Sequence, residues 1–205
     1  MAAVLRVSDG SRLLLIKNRQ RPESFGPLGG VIKFYASAKL EDRFEFQSQS
    51  KRSDLGDDLR GFLPARNFYA FMKWFRSKQD REVESVTREL VEELREIYLD
   101  ELANTIQSLP LSFVRHVHEG VQHVPGTHYY QFRYLEVYEL NPTDENGRRL
   151  TQELFSAVET NDHLLAVTHR EIMRRRSRSG HLIGVHSGYL VGRKRAGPEP
   201  APFYE

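Results

Sequence analysis

Arg88-Glu89-Leu90-Val91-Glu92-Glu93 carries three carboxylates at i, i+3 and i+4. On an α-helix, at about 100° per residue, that spacing brings Glu89, Glu92 and Glu93 onto one face. Three neighbouring carboxylates repel one another, so their proximity calls for a compensating cation. A hard, all-oxygen cluster suits Mg²⁺ best, with Mn²⁺ as a common substitute. The same run also reads as a solvated acidic face supported by pairs such as Arg88 with Glu92 at i, i+4.

Working outward, the pattern predicts a helix from Arg81 to about Leu99 with Asp80 as its cap. Val83, Val86, Leu90, Leu94 and Ile97 recur at helical spacing and form a core-facing stripe. The centre of that stripe lies about 110° around the helix from the centre of the carboxylates. The acids therefore fall at the rim of the buried face, where a cleft can lie, and this favours a site over plain solvation. Upstream, Phe25-Gly26-Pro27-Leu28-Gly29-Gly30-Val31-Ile32 holds three glycines and a proline, which predicts a tight backbone path or a plain turn rather than a regular element. Gly29 and Gly30 allow close approach to whatever lies beside them. Before it come the basic segment Lys17-Asn18-Arg19-Gln20-Arg21 and the apolar run Leu13 to Ile16, expected to be a strand buried on both faces. Ser8-Asp9-Gly10-Ser11 carries the Asp-Gly signal of a hairpin between Val4 and Ile16.

Residues 37 to 80 interrupt this rhythm. Ser37 to Asp58 is polar, with a mobile loop expected at Gln47 to Ser53. Phe68, Phe71, Met72 and Phe75 then recur at helical spacing, which predicts a helix from Ala65 to Lys78. Its aromatic stripe reads as packing, or as a stacking or partner-binding platform helped by Arg66, Lys73 and Arg76. Beyond Pro110, Leu111 to His118 and His128 to Leu140 read as neighbouring strands, Leu150 to Thr160 as a helix and Leu164 to Thr168 as a strand. Thr168 followed by Glu171 matches a capping box for a helix through Arg175. A last apolar stretch, Leu182 to Val191, precedes a tail. The expected organisation is one domain over 1–192, with an insertion at about 37–80, and a loosely ordered tail over 193–205.

Two further clusters compete for attention. His116, His118, His123 and His128 suggest metal ligation, but they are expected on different faces of a hairpin or in its loop. Arg174-Arg175-Arg176-Ser177-Arg178 reads as a phosphate-contacting run or a solvated surface. Of the 205 residues, 39% are hydrophobic and 28% charged, the composition of a globular protein, and the net charge of +2 selects no partner class. The absence of cysteine excludes disulfides and thiolate chemistry and fits an intracellular protein. With no bilayer-length apolar run and no signal-like start, a cytoplasmic location is the expectation.

Phe25-Gly26-Pro27-Leu28-Gly29-Gly30 and, after an insertion, Arg88-Glu89-Leu90-Val91-Glu92-Glu93-Leu94 resemble the Nudix hydrolases. Their signature is G-x5-E-x7-R-E-U-x-E-E-x-G-U, with U a bulky apolar residue. Thr168-His169-Arg170-Glu171-Ile172 looks like a late segment common in that family. The chain departs from the signature in three places. An insertion of about forty residues follows Gly30, the first glutamate falls on Asp80, and the last glycine falls on Arg95, so the helix is expected to continue where family members turn. These departures look more like the SMODS-associated Nudix branch, found alongside nucleotide-second-messenger systems in bacterial antiphage defence.

The resemblance implies an α/β fold, an α/β/α sandwich around a mixed sheet. It implies that Glu89, Glu92 and Glu93 bind Mg²⁺ or Mn²⁺, with the Gly29 carbonyl completing a shell, and that Arg88 holds a glutamate. Glu92 or Glu93 is then the candidate proton acceptor. The implied activity is cleavage of a nucleoside diphosphate linked to another moiety, with Lys17, Arg19 and Arg21 as candidate substrate contacts. The expected ligand is a nucleotide-type small molecule rather than nucleic acid or a membrane, and a homodimer is common in such families. The alternatives are a degenerate module that binds a nucleotide signal without cleaving it, or a protein-interaction module built on the aromatic insertion.

Overall fold

The computed structural model describes residues 1–49, 58–83 and 85–197. In chain order its strands are β1 (Ala2–Arg6), β2 (Leu13–Lys17), β3 (Ser24–Gly26) and β4 (Leu28–Val31), followed by an insertion with α1 (Leu40–Phe44), β5 (Gln47–Ser48), β6 (Gly61–Phe62) and α2 (Phe68–Ser77). The motif helix α3 (Ser85–Glu96) and the short α4 (Asp100–Thr105) lead to β7 (Leu111–His123) and β8 (Tyr130–Leu140). Then come α5 (Glu145–Ala157), β9 (Leu164–Val167), α6 (His169–Arg174), β10 (Leu182–Ile183) and α7 (Gly188–Val191).

Two four-stranded sheets form the frame, in the orders β4-β1-β8-β7 and β10-β3-β2-β9. The first is mixed, because β1 runs parallel to β8 but antiparallel to β4. This is the expected α/β architecture of helices packed on mixed sheets. β2 shows why its sequence is apolar throughout. Leu14 and Ile16 enter one core cluster with α3, whereas Leu13 and Leu15 enter a second with Val137, Ile172 and Tyr189.

Several expectations are corrected. The Asp9-Gly10 turn forms, but β1 and β2 meet only at the Ser8–Leu13 bridge and then separate into different sheets. A simple hairpin would leave one face of β2 in water. Phe25 to Ile32 is not a bare turn, because β3 and β4 flank Pro27 and lie in different sheets. Proline has no N–H to give a ladder, so the strand changes sheet there. α5 begins at Glu145, with the Asp144 side chain accepting from the Gly147 N–H, and ends at Ala157.

The motif helix is shorter than expected. Asp80 does not cap it: the residue has φ 58° and its carboxylate accepts from Ser37 Oγ at 2.7 Å. Arg81 bridges to Phe34 as extended chain, and Val83 is exposed. Val86, Leu90, Leu94 and Ile97 are buried as the stripe requires, and the helix continues through Arg95.

The insertion packs through its aromatic stripe. Phe71, Met72, Trp74 and Phe75 are buried, and Phe71 stacks on Phe46, while Tyr69 on the same helix is 82% exposed. The expected loop at Gln47 to Ser53 has its first residues paired with Gly61–Phe62, and its remainder from 50 lies outside the described residues. The Thr168–Glu171 capping box is present at the start of α6. Residues 193–197 are tied down, with Ala196 N–H donating to Val185 O and Arg195 paired with Glu119 at 2.5 Å. Residues 198–205 of the expected tail lie outside the described residues. Among the described residues no helix is long and apolar enough to cross a membrane.

Candidate active site

α3 lies against β4, and the glycines of that strand receive its acids. Glu93 Oε2 accepts a hydrogen bond from the Gly29 N–H at 3.1 Å. The next residue serves differently: a Cβ on Gly30 would collide with the Glu89 carboxylate, so the bare backbone makes the space that Glu89 fills. Gly29 has φ 119°, and a Cβ there would strike the backbone of Ala3 and Val4 on β1. One glycine is required by the sheet and the other by the acid.

Arg88 is the hub. Its Nε and Nη2 donate to Glu82 Oε1 and Oε2 at 2.8 and 3.1 Å, and its Nη1 donates to Glu92 Oε2 at 2.9 Å. Nη2 also lies 2.7 Å from Glu89 Oε1 and reaches Val31 O on β4 at 3.3 Å. The bidentate fork fixes the guanidinium plane. The i, i+4 pair of Arg88 with Glu92 is therefore real, but it is one arm of a larger clamp.

Glu82 is the functional candidate the sequence reading missed. The signature spacing put the first acid at Asp80, yet Asp80 faces Ser37 and it is Glu82 that holds Arg88. Glu82 is itself fixed, accepting from the Lys33 N–H at 3.1 Å while its own carbonyl accepts from Arg81 Nη1 at 2.9 Å. An acid six residues before Arg88 was the available signal. It was hidden because Arg81 and Glu82 leave the helix and run as extended chain.

The electrostatics are those of an acid-rich site. Burial pushes the Glu93 carboxyl well above the usual carboxylate range, against the Gly29 hydrogen bond, and repulsion from Glu89, Glu96 and Glu92 adds to it. Burial also raises Glu89, opposed by Arg88 and reinforced by Glu92 and Glu82. The single guanidinium of Arg88 engages Glu82, Glu89 and Glu92, and Glu93 is repelled by Glu89 and Glu92, so negative charge is in excess. An all-oxygen set of partly buried carboxylates, with Gly30 clearing room for one of them, fits a divalent cation in its chemistry. Among the described residues no three His, Asp or Glu side chains are already gathered at ligating positions.

The other sequence candidates fall elsewhere. Arg19 Nη1 pairs with Glu96 Oε1 at 2.6 Å, at the C-terminal turn of α3. Lys17 lines a cleft of about 340 Å³ at the ends of β2 and β9, not beside the carboxylates. The Arg21 carbonyl closes the β2–β3 turn by accepting from Ser24 N–H at 2.8 Å. His116 and His118 share a face, contrary to expectation, with ring centroids 6.4 Å apart in an aromatic cluster with Tyr134. In the arginine run, Arg175 caps α6 in a left-handed conformation and Arg176 Nη1 donates to Gly180 O at 2.9 Å.

A mixed sheet carrying a helix that lays glutamates on a Gly-Gly strand defines a Nudix-type α/β protein. Residues 1–191 match the family model of the SMODS-associated NUDIX domain, and the chain belongs to that family. Comparison with curated proteins and with solved structures finds no match. Family membership points to chemistry of the pyrophosphohydrolase type, and Nudix proteins generally use divalent metals.

Proposed function

We propose that this chain is a Mg²⁺- or Mn²⁺-dependent pyrophosphohydrolase acting on a nucleoside diphosphate linked to another moiety. The observation that carries the reading is the pair Glu89 and Glu93, two partly buried carboxylates set against Gly30 and Gly29 and left with more negative charge than Arg88 neutralises. Glu89, Glu92 and Glu93, with the Gly29 carbonyl, would hold the cation. When bound, such an ion offsets the charge of the anhydride oxygens and lowers the pKa of a water near neutral pH.

The chain's own groups do the rest. Arg88 orients Glu89 and Glu92 through its clamp, and Glu82 holds Arg88 in place. Glu92, half exposed at the rim, is positioned to take a proton from an attacking water, with Glu93 as the alternative. Proposed with this are a nucleotide-type ligand, a cytoplasmic setting within a nucleotide-signalling antiphage system, and a homodimer.

The test is a panel of NDP-linked compounds, dinucleotides and cyclic oligonucleotides, incubated with and without Mg²⁺ or Mn²⁺, with products identified by mass. Metal-dependent phosphate products that vanish in Glu92→Gln or Glu93→Gln support the reading. A double variant that turns over as fast as the parent refutes it. A second reading, recognition of a nucleotide without cleavage, is supported by the displacement of Asp80 and by carboxylates that Arg88 already engages. No turnover across the panel, together with a thermal shift from one nucleotide, decides for it.

A further inference from the structure

We infer that the cleft lined by Lys17, Glu23, Phe25, Asp162, Leu165 and His181 is a nucleobase subsite, selective for guanine. Its volume of about 340 Å³ lies within the range of small-molecule sites. The floor is apolar, built by Leu164, Leu165 and Val158, with the His181 ring packed edge-on against Phe25 at 5.2 Å. The rim is polar and uncommitted. Among the described residues the side chains of Lys17 and Glu23 have no partner, and Asp162 meets only its neighbour His163, at 3.6 Å. A lysine and two carboxylates line one cleft without pairing with each other.

Of the base edges, that of guanine uses this combination most fully. Guanine presents a carbonyl acceptor beside two parallel N–H donors, so an ammonium can donate to O6 while a carboxylate accepts from N1–H and the exocyclic amine. Uracil offers one donor between two acceptors and would leave a carboxylate facing a carbonyl. Adenine lacks the paired donors.

Both rims of the cleft are anchored to the end of the acid-bearing helix. Asn161 Nδ2 donates to Ile97 O at 2.8 Å, and Arg19, two residues beyond Lys17, pairs with Glu96. Phe25 is four residues from Gly29, so their Cα atoms are at most about 14 Å apart. A nucleotide seated with its base in the cleft can therefore direct its phosphates along α3 towards Glu93. Only this orientation rests on the proposed hydrolase reading, and the base preference stands apart from it.

The experiment measures binding of GMP, AMP, UMP and ribose 5-phosphate by calorimetry in EDTA, to the parent chain and to Leu165→Trp and Asp162→Asn. GMP is expected to bind at least about tenfold tighter than ribose 5-phosphate, about 1.4 kcal/mol. Leu165→Trp, which fills the cleft, removes that gain. Asp162→Asn alters a side chain that is 86% exposed, so it leaves folding intact while reducing the preference for GMP over AMP. Equal binding of GMP and ribose 5-phosphate, or unchanged GMP affinity in both cleft variants, overturns the inference. GMP selectivity without hydrolysis of any panel compound upholds it while removing the hydrolase reading, and hydrolysis without base selectivity does the reverse.

Discussion

Two charged networks lie side by side in this protein, one buried and one partly exposed, and they are balanced in opposite ways. Arg81 and Glu136 are 2.8 Å apart with side chains 1% and 3% exposed, and nearly every polar atom has a use. Arg81 Nε donates to Phe75 O near the end of α2, Nη1 to Glu82 O, and its Cζ lies 4.1 Å from the centroid of the Phe75 ring. Glu136 also accepts from Tyr138 Oη at 2.8 Å. One residue further on begins the second network, where three glutamates engage one arginine and Glu93 stands unpaired by it. The first is closed, with one charge of each sign, and serves the fold. The second is open, with surplus acid, and that surplus is what the proposed cation site needs. Arg81 and Glu82 are adjacent, so the closed network sets the position of the open one.

The largest expected effect comes from breaking the closed network. Arg81→Met leaves Glu136 buried without its partner and should cost about 3–5 kcal/mol in urea denaturation. Replacing both partners with apolar residues should recover much of that loss. If the single substitution cost no more than a surface change, the contrast between the networks would fall.

The two glycines of β4 sharpen the contrast within one dipeptide. Gly29→Ala forces a side chain into a positive-φ position against the backbone of Ala3 and Val4, so about 2–3 kcal/mol should be lost. Gly30→Ala meets only the flexible Glu89 carboxylate. It should cost under about 1 kcal/mol while displacing Glu89 and weakening Mn²⁺ binding in a titration. Equal stability losses would show that both glycines answer to the sheet.

In the open network, removing a charge should help. Glu93 sits where burial and three neighbouring acids disfavour its anion. Glu93→Gln should therefore raise the stability of the metal-free protein in urea denaturation and abolish the further gain expected of the parent on adding Mg²⁺. A destabilised variant would mean that the Gly29 hydrogen bond outweighs the repulsion.

Much of this arrangement was legible beforehand where the signal is local and periodic. The carboxylate spacing on α3, the stripe from Val86 to Ile97, the aromatic face of α2, the doubly buried β2 and the Thr168–Glu171 box all follow from neighbours within a turn or two. What stayed hidden depends on long-range partners. Nothing near Arg81 announces Glu136, fifty-five positions away in sequence, and a buried arginine breaks the polar-outside rule that places helix boundaries. Once Arg81 leaves the helix, Glu82 rather than Asp80 reaches Arg88. The parting of β1 from β2 after a good hairpin turn has the same origin, because burying both faces of β2 outweighs the local preference for pairing.

Asp9 offers the smallest effect and a useful calibration, since it is an acid whose partners are all local. Burial is the largest single influence and pushes its carboxyl up, but the hydrogen bonds from Arg12 and Ser11 together outweigh it and hold the group at about 2. An unfolded aspartate titrates near 3.9. The folded value is the lower one, so the stability that Asp9 adds is complete above the unfolded value and is lost as pH falls towards about 2. The group lies at the surface, so solvent screening keeps the contribution below about 1 kcal/mol. The stability difference between the parent and Asp9→Asn should stay flat from neutral pH to about 4 and then shrink towards zero. A difference that instead grew on acidification would have the sign of a carboxyl raised by folding, the behaviour reserved for Glu89 and Glu93, and would remove the distinction between satisfied and surplus acids on which the site is built.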